Sequence, residues 1–120
     1  MTPAEIRKAA QDLFHAEKTQ QQIGLLTIAN PNMHIDDAYA VQKELVALKV
    51  ADGRCVTGWK IGLTSKAMQY ALNIDIPDSG ILFDDMHFED SSTIPKDRFI
   101  QPRIEAEIAF VMKEGLDGAA

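Results

Sequence analysis

The spacing of apolar residues changes once along the chain, between residues 52 and 56, and this change constrains the fold more than any other feature. Before it, apolar residues recur three or four positions apart, as on one face of a helix. After it, short apolar segments alternate with polar residues or turn residues, as in strands. Helices followed by strands predict an α+β chain, helical over residues 1–52 and with a β-core that starts over residues 55–112.

Local chemistry places the ends of two long helices. Thr2, Pro3 and Glu5 predict a helix start, because Thr2 can cap it, Pro3 suits the first position and Glu5 completes a capping box. That helix is expected from Pro3 to about Gln20. A second is expected from about Asp36 to Ala51, with acidic residues at its start and Gly53 as its stop.

The second half of the chain is expected to hold shorter elements. In chain order these are a strand over Val56–Leu63, a helix capped by Thr64 or Ser65 that ends near Leu72, a turn over Pro77–Gly80, a strand over Ile81–Phe83, a loop-rich segment over Asp84–Asp97 and a strand over Ile104–Met112. The last of these has the clearest alternation. It lies close to the end of the sequence, so we expect either an exposed sheet edge or cover from elsewhere.

Charge and composition exclude several classes of protein. The 12 basic and 18 acidic residues give a net charge of −6, and no run of basic residues exceeds two, which argues against nucleic acid as a partner. No apolar run approaches the ~20 residues of a membrane span, and the N-terminus does not resemble a secretory signal. Cys55 is the only cysteine, which excludes an internal disulfide and a cysteine-based zinc cluster. A cytoplasmic location and a buried Cys55 are the resulting expectations.

Two glutamates in the last predicted strand are the strongest candidates for chemistry. Glu105 and Glu107 are two residues apart and would share a strand face, while Ile104, Ala106 and Ile108 would form the opposite face. Two adjacent carboxylates repel each other unless a cation lies between them, and carboxylate oxygens suit Mg²⁺, Mn²⁺ or Ca²⁺. The same pattern also fits a solvated strand face with two ordinary glutamates.

Lys60 and Asp78 are further candidates. Lys60 lies between Gly58 and Gly62, which would let substrate or backbone approach closely; partial burial would lower the pKa of Lys60 and suit it to proton transfer. From the residues alone, a surface lysine with an exposed ammonium group is the favoured interpretation. Asp78 is either a site carboxylate or a simple turn former. His15, His34 and His87 have no metal-ligand spacing, and we expect none of them to bind a metal.

Taken together, the motifs resemble one family. They are Asp37–Gln42, Gly58–Gln69, Pro77–Gly80, Asp84–Met86 and Arg98–Glu107, in order and covering nearly the whole chain. This pattern is similar to the 2-oxopent-4-enoate hydratase and 4-oxalocrotonate decarboxylase branch of the fumarylacetoacetate hydrolase superfamily. Within that branch the resemblance is strongest to hydratases of heptenedioates.

The resemblance implies a metal-dependent hydro-lyase that adds water to a 2-oxo-4-enoate, the heptenedioate of aromatic catabolism. It implies that Glu105 and Glu107 bind Mg²⁺ or Mn²⁺, with Lys60 as the active-site lysine and Asp78 as a pocket aspartate. It also implies helices packed on a mixed sheet that rolls into a barrel-like core, and a homo-oligomer. Family members continue beyond residue 120 with a third metal-binding glutamate, so residues 1–120 are expected to be the N-terminal part of a single hydratase domain.

Two alternatives remain open. A decarboxylase of the 4-oxalocrotonate type would use the same metal site. In the second alternative, the chain is an inactive fragment that needs a partner chain to fold. The cation that would receive the second carboxylate of a dioate is also open, with Arg103, Arg98 and Lys66 as candidates.

Overall fold

The computed structural model describes residues 1–115, which form two long helices, two short helices and a two-stranded sheet. In chain order the elements are α1 (Pro3–Thr19), α2 (Leu26–Ala29), α3 (Ile35–Ala51), β1 (Val56–Gly62), α4 (Lys66–Leu72), β2 (Asp78–Phe83) and a 3₁₀ turn (Asp84–Met86). The α+β class is therefore confirmed. Within this part of the chain, no helix combines the length and the apolar character needed to cross a membrane.

The predicted helix ends are confirmed. The Glu5 N–H donates to the Thr2 hydroxyl at 3.3 Å, and the Thr2 N–H donates to the Glu5 carboxylate at 2.7 Å, which completes the capping box. The Thr2 N–H and then the Thr2 hydroxyl, which both donate to the Glu5 carboxylate, hold the pKa of Glu5 below its ordinary value. After α3 ends, Gly53 adopts a φ of 99°, a backbone conformation that favours glycine and stops the helix.

The core lies between α1 and α3. Small residues on α1, Ala9 and Ala10, are buried against Val41 of α3, which allows the two helices to approach closely. The partly buried side chains packed around them are those of Met1, Ile6, Leu13, Leu26, Leu45 and Leu48. The helical half of the chain thus has its own hydrophobic core.

A cluster of ion pairs joins these helices to the β-region. Glu17 of α1 contacts Lys49 of α3 and Arg54, each at 2.5 Å. Lys49 is buried and lies over the Phe83 ring at the end of β2, 5.1 Å from its centroid. Burial raises the pKa of Glu17, but hydrogen bonds from Lys49 and Arg54 outweigh burial and hold that pKa below its ordinary value. Asp85 joins the cluster through Arg54, with its Oδ2 atom 3.5 Å from the Arg54 Nε.

The two strands pair antiparallel, and their register corrects one prediction. Asp78 pairs with Gly62 and Gly80 pairs with Lys60, so β2 begins at Asp78. The predicted turn over Pro77–Gly80 is therefore wrong. Its residues are typical of turns, but pairing with the glycine-rich end of β1 outweighs that local preference.

The predicted strand over Ile104–Met112 is also wrong. The segment has no regular secondary structure and its apolar residues are exposed; Ile104 is 100% exposed. Alternation predicts a strand only where a neighbouring strand supplies hydrogen bonds. β1 pairs only with β2 among the described residues.

The expectation that Cys55 is buried is wrong as well. Its side chain is exposed, while its backbone is fixed by Asp84. The Cys55 N–H donates to the Asp84 carboxylate and the Asp84 N–H donates to the Cys55 carbonyl, both at 2.9 Å. The role of this position is to anchor the strand ends through the backbone.

Candidate active site

One face of the two-stranded sheet carries three glycines and therefore few side chains. Directly paired residues project to the same face, so Lys60, Gly62, Asp78 and Gly80 share one face, together with Gly58. The glycines leave Lys60 and Asp78 as the polar side chains on that face. It is half-buried along β1, whereas the opposite face exposes Trp59 and Ile61.

Gly62 allows the Asp78 carboxylate to lie against β1. A Cβ atom added at Gly62 would overlap Oδ1 of Asp78, whereas one added at Gly58 would meet only the Leu82 side chain at 3.9 Å. The close approach predicted for this glycine-flanked segment was one of substrate or backbone, whereas the structure shows a side chain there. The group that approaches is a site candidate, Asp78.

Lys60 joins the two candidate glutamates. Its Nζ lies 2.6 Å from Oε1 of Glu107 and 3.1 Å from Oε2 of Glu105. The hydrogen bond to Glu107 and then that to Glu105 raise the pKa of Lys60 above its ordinary value. We expected burial to lower this pKa, and that expectation is wrong, because the lysine side chain is 42% exposed and faces two carboxylates.

These residues line one pocket of about 340 Å³. The loop after β1 completes its wall with Thr64 and Ser65, and Met68 of α4 adds an apolar contact surface. Ser65 caps α4 as predicted, accepting from the Met68 N–H at 3.1 Å. The structure thus brings together all four candidates, Lys60, Asp78, Glu105 and Glu107.

A buried side chain supports the loop of this pocket. Leu63 has a φ of 52°, which is costly for a branched residue unless its surroundings hold it. The Gln69 amide, buried on α4, donates to the Leu63 carbonyl at 2.6 Å. No role is predicted for Gln69 from the sequence, since a single glutamine on a short helix carries no local signal.

The donor chemistry of the site fits a divalent cation. Two carboxylates converge on one positive group, the Lys60 ammonium, at the place where the sequence predicted a cation between them. Residues 1–115 contain no cluster of three His, Cys, Asp or Glu side chains that could hold a metal ion. Two carboxylates still suit Mg²⁺, which commonly takes one or two and keeps several waters.

The other candidates lie elsewhere. His15 and His87 are exposed and away from the pocket lining, and His34 precedes α3. Arg98 pairs with Asp85 at 3.1 Å, and Lys66 donates to Gln69 at 3.1 Å. Arg103 lines a larger, mostly apolar groove of about 750 Å³ between α1 and residues 98–103. Glu17 and Arg98 in that groove are already paired, so we do not place the site there.

Comparison with known proteins gives relatives of one kind. The chain is 56% identical to 2-oxo-hept-4-ene-1,7-dioate hydratase of Escherichia coli over 109 residues, which is 91% of this chain and 41% of the relative. It is 46% identical to 2-keto-4-pentenoate hydratase of Paraburkholderia xenovorans over 117 residues, 98% of this chain and 44% of the relative. The chain therefore spans less than half the length of these relatives. No model of a protein family matches it.

Comparison of the fold with solved structures also finds an enzyme that is named for its action on a 2-oxo acid. A solved structure of 4-oxalocrotonate decarboxylase from Pseudomonas putida G7, complexed with calcium and acetate, superposes with a TM-score of 0.69 at 34% identity. The superposition covers 71% of this chain and 33% of that one. A second structure of that enzyme, complexed with magnesium and adipate, gives the same TM-score. Over the segment that it spans, the chain is thus similar in sequence to hydratases of 2-oxo-enoates and in fold to 4-oxalocrotonate decarboxylase, in agreement with the resemblance to that branch of the fumarylacetoacetate hydrolase superfamily.

Proposed function

We propose that the chain carries part of the active site of a divalent-metal-dependent hydro-lyase. The substrate would be a 2-oxo-4-enoate, taken as its 2-hydroxy-2,4-dienoate tautomer, with the heptenedioate as the first candidate. One observation carries the proposal: Lys60, Asp78, Glu105 and Glu107 line a single pocket in a chain that is 56% identical to a hydratase of that heptenedioate.

Glu105 and Glu107 are the proposed metal ligands, with Mg²⁺ or Mn²⁺ as the ion. Support comes from the convergence of both carboxylates on the Lys60 ammonium group. Further support comes from the related decarboxylase, which was solved with calcium and with magnesium. When bound, the ion would supply Lewis-acid stabilisation of negative charge that develops on the 2-oxygen of the substrate. Lys60 would then lose its present partners and turn its ammonium group to the substrate.

Lys60 and Asp78 are the proposed proton-transfer groups. Hydration requires a proton shift that forms the conjugated ketone, then addition of water at C4 and a proton at C3. Asp78 projects a carboxylate from the same face as Lys60 and can accept a proton, while the Lys60 ammonium can donate one. Two groups of opposite charge on one glycine-opened face suit both steps.

A metal titration tests the site. We expect saturable Mn²⁺ binding by calorimetry in the unaltered chain and its loss in a Glu105→Gln/Glu107→Gln variant, because both oxygen ligands lose their charge. A Glu89→Gln/Asp90→Asn variant removes the same charge from an exposed loop and should bind as the unaltered chain does. Identical weak heats in all three chains would contradict the metal site.

An activity assay then separates two reactions. The structural likeness to 4-oxalocrotonate decarboxylase favours decarboxylation as the second candidate. Both reactions would use the same carboxylates, so the site geometry does not distinguish them. Loss of dienoate absorbance with a hydroxy-oxo acid as product supports the hydratase, and release of CO₂ from a 2-oxo-3-enedioate supports the decarboxylase.

We further propose that the two-stranded sheet is the start of a larger, barrel-like sheet in proteins of the relatives' full length. The ion pairs of Lys60 hold Glu105 and Glu107 beside β1, and the segment around them alternates as a strand does. An inactive chain that requires a partner remains the alternative. It predicts no metal dependence and an oligomeric folded state.

A further inference from the structure

Helix α3 contacts the edge of β2 through two side chains. The Ser79 N–H donates to the Tyr39 hydroxyl oxygen at 3.2 Å, and the Gln42 side-chain amide donates to the Ser79 carbonyl at 2.9 Å. Tyr39 and Gln42 are three residues apart and therefore lie on the same side of the helix. The neighbouring α3 residue Val41 is buried in the helical core, so the helix that carries both contacts is firmly placed.

These contacts hold the two peptide groups that follow Asp78. The Ser79 N–H belongs to the peptide that joins Asp78 to Ser79, and the Ser79 carbonyl belongs to the next one. Both groups point away from β1, which is the alternation expected beside the hydrogen-bonded pairs of an antiparallel ladder. The direction of the Asp78 side chain depends on this backbone.

Asp78 is thus fixed from two sides. On one side, α3 holds the two peptide groups that follow Asp78. On the other side, the Asp78 carboxylate occupies the space that a Cβ atom at position 62 would fill. Asp78 itself lines the pocket and is exposed, so packing restrains its side chain little. Backbone contacts are then the main restraint on where its carboxylate lies.

We propose that Tyr39 and Gln42 are positioning residues, which set the Asp78 carboxylate for proton transfer without touching the substrate. This inference rests on the proposed function, in which Asp78 is a catalytic residue. It assigns to α3 a role beyond packing: the helix connects the hydrophobic core to the reacting face of the sheet.

Kinetics of single and double variants test the proposal. We expect Tyr39→Phe and Gln42→Met each to lower kcat at least tenfold, with KM and Mn²⁺ affinity changed less than twofold, because a small misplacement of a catalytic group is costly. In an Asp78→Asn background, Tyr39→Phe should cause no further loss. Tyr70→Phe, at a tyrosine that is 84% exposed, and Gln11→Met on exposed α1 surface are the matched controls.

An additive loss in the Asp78→Asn/Tyr39→Phe variant would overturn the proposal, since Tyr39 would then act independently of Asp78. So would an unchanged kcat in Tyr39→Phe where Asp78→Asn is impaired. If the unaltered chain is inactive, or Asp78→Asn retains full kcat, the proposed function fails instead.

A second measurement tests the contact itself whether or not the chain is active. By NMR, we expect Tyr39→Phe to speed hydrogen exchange at the Ser79 amide about tenfold or more and to shift the Asp78 Cγ resonance. Tyr70→Phe should change neither. An unchanged Ser79 exchange rate and Asp78 resonance in Tyr39→Phe would overturn the positioning role even if the chain shows no activity.

Discussion

At the residue scale, Gly62 determines how close Asp78 lies to the strand that carries Lys60. Its missing Cβ leaves the space that Oδ1 of Asp78 occupies. Because the atom in the way is the end of a flexible side chain, an added methyl group would turn the carboxylate aside and leave the sheet intact. Gly62 is therefore a position where catalysis and stability should respond differently.

We predict that Gly62→Ala lowers kcat at least tenfold and changes the free energy of unfolding by less than about 1 kcal/mol, the range for alanine in place of glycine in a strand. Turnover with Mn²⁺ and thermal unfolding measure the two effects. Gly58→Ala is the matched control, since a Cβ there meets only Leu82 at 3.9 Å. Equal losses of turnover in both variants would remove the special role of Gly62.

At the scale of elements, Glu17 connects α1, α3 and the start of β1. Lys49, its partner on α3, is 5% exposed, and Arg54 is its second partner. Removing the Glu17 charge leaves the buried Lys49 ammonium group without its carboxylate partner, while its contact with the Phe83 ring remains. The ion cluster therefore stabilises the docking of the helices on the β-region.

We predict that Glu17→Gln lowers the free energy of unfolding by about 1–3 kcal/mol at pH 7, the cost of a buried group that loses its partner. The pKa of Glu17 is lowered in the folded chain, so its contribution is present above the unfolded pKa of about 4.3 and is lost as pH falls through the folded value. Urea unfolding between pH 7 and pH 3 should therefore show a smaller loss of stability in Glu17→Gln than in the unaltered chain.

Asp12→Asn provides the comparison for that experiment. Asp12 pairs with Lys8 at 2.7 Å, but both side chains are largely exposed, so the variant should lose less than about 0.5 kcal/mol. A Glu17→Gln chain as stable as Asp12→Asn, with the same pH dependence as the unaltered chain, would show that the cluster contributes little.

The same scale explains which elements the sequence predicts well. Helix ends depend on neighbours three or four residues away, so Thr2, Glu5 and Gly53 were sufficient to place them. Strands depend on distant partners: β2 starts at Asp78 because Gly62 lies opposite, and no local pattern contains that information. Residues 104–112 show the converse, a strand pattern without a strand to pair with.

In the candidate site, too, features set by nearby residues were predictable from the sequence, and contacts between distant residues were not. Spacing indicates Glu105 and Glu107, local sequence indicates Lys60 and Asp78, and the resemblance implies the roles of all four. That Lys60 Nζ lies between the two glutamates was visible only in the structure. Tyr39 and Gln42 bind backbone atoms of Ser79, and a polar pair on a helix does not indicate which backbone it meets.

At the scale of the whole molecule, the described chain is open. Its accessible surface is 10047 Å², against about 6,450 Å² expected for a monomer of 13.3 kDa. Its radius of gyration is 16.1 Å, against about 13.6 Å for a compact domain of this length. Much of the additional surface is apolar, with Trp59 69% exposed and Val111 97% exposed. Exposed apolar area of this extent favours association.

We predict that the 120-residue chain self-associates beyond a dimer. A standard interface buries about 800 Å² on each partner, which would cover only a small part of the additional surface. Sedimentation from low to high micromolar concentration should therefore show a mass that keeps rising, and the Trp59 emission should shift to the blue as its ring leaves water. A Trp59→Ser/Ile61→Thr variant removes the apolar face of β1 and should associate less at each concentration. A compact monomer at every concentration, with unshifted Trp59 emission, would contradict the prediction.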